Sequence, residues 1–360
     1  MILSTDILYL VVLGGLLGAT LNYFQFGFSS SFRALIVDRD TLGARALIWM
    51  LAIAILLFTP MLVIGELDEG DYNGFIRPLT LAIPIGAFIF GIGMQIGCGC
   101  TSGTLNRVGQ LQPLSFLTLF FMIIGGTFAA YTYNSWQWLP AVAPVAFQQQ
   151  LGWPIGLLAQ LAILLLLYKF LLRFEYKKHR YINPLTEKKW SFKFAHPFLK
   201  AGVLLAIFNA LLFAFSGQPW SISFVFPLWG KELAQWVSLP VDFFFWDFIQ
   251  QNRNSFEQGV LNSVSLTTFG VILGALVVTL LDKRKKVPFT ALGAAMSIIG
   301  GLIMGFGAVM ASGCNIGALF SGVASGSLHG WVWLVFALLG NILGVMIRAR
   351  FMLLAKPVKA

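Results

Sequence analysis

Charge is what this chain has least of. Of its 360 residues, 11% are Asp, Glu, Lys or Arg, against about 25% in ordinary soluble domains. It has three cysteines and three histidines. The cysteines, at 98, 100 and 314, give neither a disulfide framework nor a zinc spacing. No apolar segment carries paired carboxylates or a histidine cluster, so a conventional proton relay, metal centre or haem site has no basis. No Walker A sequence occurs, which removes ATP as a direct driver. No catalytic residue, metal or cofactor is therefore assigned, and the chain does not read as an enzyme.

What is there is hydrophobic. Apolar residues make up 58% of the chain, and mean hydropathy is +0.82. Runs of about 18 or more such residues recur from end to end, long enough to cross hydrocarbon. The fold class that follows is an all-α polytopic membrane protein with about nine transmembrane helices. The expected crossings are 7–26, 46–64, 79–97, 111–131, 153–172, 199–216, 258–281, 288–310 and 331–353. Residues 7–26 read as the first of these and not as a cleaved leader. Four Gly-rich pieces, 27–37, 99–109, 217–232 and 313–328, are too short to cross and too apolar for loops. They read as re-entrant half-helices. Trp49, Trp136, Trp138, Trp153, Trp190 and Trp236 fall near span ends, as interfacial belts require.

Net charge is +10, but its distribution speaks against nucleic acid. All Lys and Arg except Arg77, Lys231 and Arg253 lie in 27–45, 99–110, 169–200, 282–287 and 348–360. The loop after the second crossing is acidic instead, with Glu66, Asp68, Glu69 and Asp71. The positive-inside rule then puts the N-terminus outside and the C-terminus in the cytoplasm.

Two segments repeat one another. Gly91-Ile92-Gly93-Met94-Gln95-Ile96-Gly97-Cys98-Gly99-Cys100-Thr101-Ser102-Gly103-Thr104-Leu105 aligns with Gly305-Phe306-Gly307-Ala308-Val309-Met310-Ala311-Ser312-Gly313-Cys314-Asn315-Ile316-Gly317-Ala318-Leu319. Gly91/Gly305, Gly93/Gly307, Gly99/Gly313, Cys100/Cys314, Gly103/Gly317 and Leu105/Leu319 are identical columns. With the orientation above, the two spans that lead into these segments run in opposite directions. The chain is therefore expected to hold two inverted-topology repeats, 1–175 and 199–360, joined by a cytoplasmic basic linker, 176–198.

Glycine lets helices approach closely and lets a helix break and restart within the membrane. A restarted helix offers free N–H groups and the positive end of its dipole to an anion. A neutral thiol adds a soft donor suited to sulfur ligands. Cys100 and Cys314 are thus candidate relay residues. Gly99, Thr101, Gly313 and Asn315 are candidate substrate contacts, although Asn315 could equally cap the half-helix, and Asn106 could do the same in the first half. Cys98, two residues from Cys100, should point elsewhere and is at most an additional thiol. His329 is expected to make a helix-end hydrogen bond. Gln218-Pro219-Trp220-Ser221 is expected to start a short helix.

These residues resemble the YeeE/YedE family of bacterial inner-membrane transporters of sulfur compounds. The likeness rests on Gly301–Gly307 followed by Gly313–Ala318, on Ser321-Gly322 through Ser327–Trp331, and on Gly93–Gln95 with Gly99–Leu105. It implies an hourglass-like helical fold. It also implies uptake of thiosulfate, passed between pore cysteines by non-covalent S–H···S hydrogen bonds, a role that maps to Cys100 and Cys314. A cytoplasmic sulfur carrier of the TusA type is the partner it implies, beside the lipid bilayer and a small sulfur anion. Thiosulfate-transporting members can carry a further cysteine near the end of the first span, where this chain has Gly27. Two rival readings remain. One is a membrane thiol–disulfide or persulfide oxidoreductase using Cys98 and Cys100. The other is a structural subunit that transports nothing alone.

The charge pattern makes one direct prediction. A cysteine placed at Lys285 should resist impermeant thiol reagents in intact cells and react once the membrane is opened. Labelling from outside would reverse the orientation.

Overall fold

A backbone inside hydrocarbon must satisfy its own hydrogen bonds, and this chain does so almost entirely with helix. The computed structural model describes residues 4–67, 72–186, 193, 195–239, 246–282 and 288–354. Asp68, Glu69 and Asp71 of the acidic loop, Trp190, most of the basic linker beyond residue 186, and Lys283–Lys286 lie outside the described residues.

The long elements are α1 (Ser4–Tyr23), α2 (Phe28–Val37), α3 (Leu42–Leu67), α4 (Ala82–Ile96), α5 (Thr101–Gly109) and α6 (Pro113–Tyr131). Short helices α7 (Tyr133–Trp136) and α8 (Phe147–Leu151) lead to α9 (Trp153–His179). Then come α10 (Pro197–Ser216), α11 (Val225–Trp236), two single turns α12 (Asp247–Gln251) and α13 (Arg253–Glu257), and α14 (Ser263–Leu281). The chain continues with α15 (Ala291–Met310), a π-helix over Asn315–Gly322, and α16 (Leu328–Leu354). A two-residue ribbon, β1 (Leu79–Thr80) against β2 (Ala141–Val142), is antiparallel.

Among the described residues, nine helical segments are long and apolar enough to cross a membrane. Each covers most of one expected crossing, but Asp6–Val37, Ala82–Gly109 and Ala291–Gly322 run on through the short helix that follows, and Trp153–His179 extends beyond the expected end at 172. Proline sits in the first turn of α6, α9 and α10, where its missing N–H costs nothing. One expectation fails. The 217–232 piece does not begin a helix at Pro219. Residues 217–224 are non-helical and α11 starts at Val225. The reason is local. Gly217 ends α10 at φ 67°, and Asn209 accepts the Trp220 N–H at 2.8 Å, which holds that stretch open.

Helices from either side of the linker interleave. The helix α1 lies along α14, and α10 along α3; α6 lies along α15, and α16 along α4; α4 and α15 pack on each other. Glycine allows these approaches, and the contacts come in matched pairs. A Cβ on Gly305 would strike the Met122 carbonyl of α6, and one on Gly91 the Ala337 carbonyl of α16. Gly125 meets Leu302 as Gly340 meets Phe88, and Gly93 meets Gly300 and Met304 as Gly307 meets Gly86 and Phe90. The α4–α15 contacts are counterparts in the register of the cysteine repeat, and those made with α6 and α16 correspond at a spacing one residue longer. Along the α4–α15 pair, Gly86 sits against Ala311 and Gly97 against Gly300, so the two helices run antiparallel.

One buried ion pair escapes the charge-poor pattern. Arg45 on α3 meets Glu175 on α9 at 3.1 Å, both 2% exposed. Arg45 also donates to the Asn183 carbonyl at 2.6 Å and to the Thr41 hydroxyl at 2.9 Å, and Thr41 in turn donates to Glu175. Removing one partner of such a pair leaves a buried charge and costs about 3–5 kcal/mol, whereas an apolar pair of similar volume is close to neutral. Glu175→Ala should therefore lower thermal stability in detergent sharply, and Arg45→Met with Glu175→Leu should recover most of it.

Candidate functional site

Both cysteine segments break a helix, and they break it in the same way. The helix α4 ends at Ile96 and α15 at Met310. The next N–H groups turn back: Gly97 to Gly93 O at 2.8 Å and Ala311 to Gly307 O at 2.9 Å. Gly99 N then reaches Met94 O at 3.2 Å, and Gly313 N reaches Ala308 O at 2.9 Å. This six-residue closure is a Schellman ending. It requires a left-handed residue just before each glycine. Those residues are Cys98 at φ 60° and Ser312 at φ 51°. Glycine is the usual occupant of that conformation.

The chain then restarts. Cys100 and Cys314 are both extended and both stand at the N-cap, before α5 and before the π-helix. Ser, Thr, Asp or Asn usually cap here; at the first break the Cys100 sulfur does so instead. The Gly103 N–H points to Cys100 Sγ at 3.4 Å, and Ser102 Oγ lies 3.4 Å from the same sulfur. At the second break the N–H groups of Ile316 and Gly317 face the Cys314 thiol. Gly103 and Gly317 are identical columns of the repeat. Their shared place is thus explained by a backbone donor aimed at sulfur.

The two thiols are brought together. Both are buried, at 1% and 0% exposure. Cys314 lies near enough to Cys100 to interact with it, with the Thr101 side chain facing the Cys314 sulfur. The Thr101 hydroxyl nonetheless completes no hydrogen bond in this structure. Thr101 and Asn315 are the first residues of the two restarted helices and share a column of the repeat. Both are fully buried, and Asn315 leaves Nδ2 and Oδ1 without partners. A buried polar atom without a partner costs about 1–3 kcal/mol, so three in one place call for an explanation.

The other candidates are distributed around this pair. The N–H groups of Gly99 and Gly313 are spent on the Schellman closures, so they have nothing left to offer a ligand. Gly313 O accepts from Trp333 Nε1 at 3.1 Å, which fixes the second break to α16. Asn106 does not cap; it donates to Gly18 O at 3.1 Å and ties α5 to α1. Nor does the Asn315 side chain cap. Cys98 leaves the pair, as expected: its half-buried thiol approaches Ile96 O at 3.5 Å. All three cysteines are free. His329 makes the expected helix-end contact, Nδ1 to Ser327 Oγ at 3.0 Å.

Sequence reasoning missed the closure over the pair. The Phe75 ring sits on Gly317, 5.8 Å from the His329 ring, and the Arg77 guanidinium covers it at 4.6 Å. Nothing in the sequence around Phe75 marks it, because its contact is with a segment over 200 residues away. His329 opens α16 and Arg348 lies near its end, about 28 Å further at 1.5 Å per residue. The site thus lies between an aromatic cover at one end of α16 and a basic cluster at the other.

Comparison with known proteins agrees over nearly the whole chain. The profile of the family described as sulphur transport matches residues 25–343. The thiosulfate transporter TsuA of Spirochaeta thermophila is 26% identical over 348 residues, 92% of this chain and 96% of that one. The thiosulfate transporter TsuA of Escherichia coli is 24% identical over 351 residues, 92% and 91% of the two chains. The probable transporter YedE of Escherichia coli is 29% identical over 165 residues, covering 46% of this chain and 40% of that one.

The left-handed positions give a prediction independent of any substrate. A non-glycine residue there costs about 1–2 kcal/mol, partly offset by the extra freedom glycine has when unfolded. Ser312→Gly should hold or raise thermal stability in detergent. Ser312→Val should lower it, since a β-branched residue is poorly tolerated at positive φ. Equal melting of the two variants would contradict the geometry.

Proposed function

The chain belongs to the sulphur transport family, and on that footing we propose that it carries thiosulfate, or a similar small sulfur-containing anion, across the bacterial inner membrane. The relatives that it matches almost end to end are named as thiosulfate transporters, which supports a transport role over a catalytic one. One observation carries the mechanism: two buried thiols stand at the N-cap positions of two restarted helices, each followed by a buried polar side chain with an unpaired atom. That arrangement suits a ligand with one soft end and several oxygens. Each thiol would donate its proton in a hydrogen bond to the terminal sulfur of thiosulfate. The Thr101 hydroxyl and the Asn315 amide would donate to its oxygens, and the helix N-termini would add their positive ends. No bond forms or breaks, and no full positive charge is needed at the centre.

The matched glycine contacts and antiparallel α4–α15 pair support two inverted repeats, 1–175 and 199–360, around the linker 176–198. With the N-terminus periplasmic and the C-terminus cytoplasmic, the anion meets Cys314 first and Cys100 second. Because both thiols are sealed from solvent, passage needs Phe75 to leave Gly317. A cytoplasmic sulfur carrier of the TusA type would receive the cargo. An oxidoreductase using Cys98 and Cys100 is not favoured, since the two thiols face different neighbours.

Losing a hydrogen bond to a charged ligand costs about 1.5–3 kcal/mol. Cys100→Ala and Cys314→Ala should each cut uptake of labelled thiosulfate into cells by about ten- to a hundredfold, while Cys98→Ala keeps most of it. Excess external sulfate, which lacks the soft terminal sulfur, should compete poorly. Normal uptake by either of the first two variants would end the relay reading.

A further inference from the structure

The basic cluster beyond Cys98 has no part in the thiol pair. Arg33 comes from α2, Arg107 from α5 and Arg348 from α16, three elements far apart in sequence. Arg107 and Arg348 reach the first helix break, and Arg33 lies within electrostatic reach of Arg348. Arg107 Nη1 donates to the Cys98 carbonyl, and Arg348 Nη1 donates to the Gln95 carbonyl at 3.5 Å. Arg348 stands close enough to Arg33 and Arg107 to be repelled by both, and close enough to the Cys98 thiol to interact with it.

Among the described residues, no carboxylate forms an ion pair with them. The ion pairs among the described residues are Arg45–Glu175, Lys231–Glu232 and Arg253–Glu257. Arg348 Nε is buried and has no acceptor. Basic residues at a membrane edge are ordinarily topology signals, and for that they need only lie in a loop. Here two of them are drawn to one point from separate helices, with a third in electrostatic reach, at mutual electrostatic cost. The residue at that point is a half-buried thiol in a left-handed conformation that glycine would hold more easily.

We propose that Arg33, Arg107 and Arg348 form, beside Cys98, a second anion site that takes a doubly charged sulfur oxyanion at one mouth of the path. The inference rests on the chain being a sulfur-anion path, and it assigns that mouth a different chemistry from the centre. Recognition at the arginines is by charge and by oxygen, so sulfate binds there as readily as thiosulfate. Selection for soft sulfur belongs to Cys100 and Cys314. The arginines concentrate the anion; the thiols sort it. In the orientation proposed above this mouth faces the cytoplasm, so external sulfate does not reach it.

The test uses the full-length protein with Cys98 as its sole thiol, through Cys100→Ser and Cys314→Ser. Its labelling rate is compared for methanethiosulfonate reagents bearing a sulfonate or a trimethylammonium group. A focused positive field should favour the sulfonate reagent about tenfold or more, and the ratio should fall as salt rises. Added sulfate, which does not consume the reagent, should slow labelling. Arg348→Gln and Arg107→Gln should each collapse the ratio, and Arg348→Lys should keep most of it. The Lys variant guards against misreading a folding defect as a loss of charge. A ratio near one in the parent protein, or no slowing by sulfate, overturns the site even if thiosulfate uptake proceeds normally. A large ratio that the Gln variants abolish sustains the site even if the protein moves no thiosulfate.

Discussion

Breaking a helix inside a bilayer frees backbone groups that have no water to turn to. Each unsatisfied group in hydrocarbon costs several kcal/mol, so a mid-membrane break survives only where something replaces the lost bonds. Here the carbonyls at the first end are closed by Schellman turns, and N–H groups at the second end are aimed at the sulfurs of Cys100 and Cys314. The thiols are thus part of the solution to a folding problem before they are part of any function. The same geometry leaves Thr101 and Asn315 with unanswered polar atoms in a dry interior, and that residue of unmet demand is what a ligand can fill.

Much of the fold serves this arrangement. Two breaks can be neighbours only if the helices that carry them come very close, and α4 and α15 do so through Gly86, Gly93, Gly97, Gly300 and Gly307. The next layer repeats the device, with α6 seated on α15 and α16 on α4 through further glycine contacts. In the proposed reading, a centre of backbone ends and neutral thiols would bind an anion without a lysine or arginine, which would limit how tightly it holds on. A transport site must release its cargo, so a modest grip suits the task. The full charges stand at the periphery, at Arg77 on one side and at Arg33, Arg107 and Arg348 on the other.

Hydropathy made the crossings legible because length and polarity alone decide them. The duplicated glycines and cysteines made the two breaks legible, and with them the separation of Cys98 from the central pair. Five things were hidden. The 217–224 stretch reads as a helix start by its Pro219, but Asn209 captures the Trp220 N–H from another element. Gly99 and Gly313 look like anion donors, yet the Schellman closure consumes their N–H groups. Asn315 looks like a cap, yet Cys314 holds the N-cap position and the Asn315 amide is left without a partner. The pairing of Arg45 with Glu175 and the seat of Phe75 on Gly317 are contacts between distant segments, which no local pattern records.

The central claim is that Cys100 and Cys314 remain neutral thiols and donate hydrogen bonds to the passing anion. Infrared spectroscopy of the S–H stretch in purified protein reads this directly, with Cys98→Ala removing the third thiol from the spectrum. The account predicts that both bands persist and move to lower frequency when thiosulfate is added, and that sulfate leaves them in place. Bands that vanish would mean ionisation or a covalent bond to sulfur, and bands that ignore thiosulfate would mean that the thiols only pack; either result would contradict it.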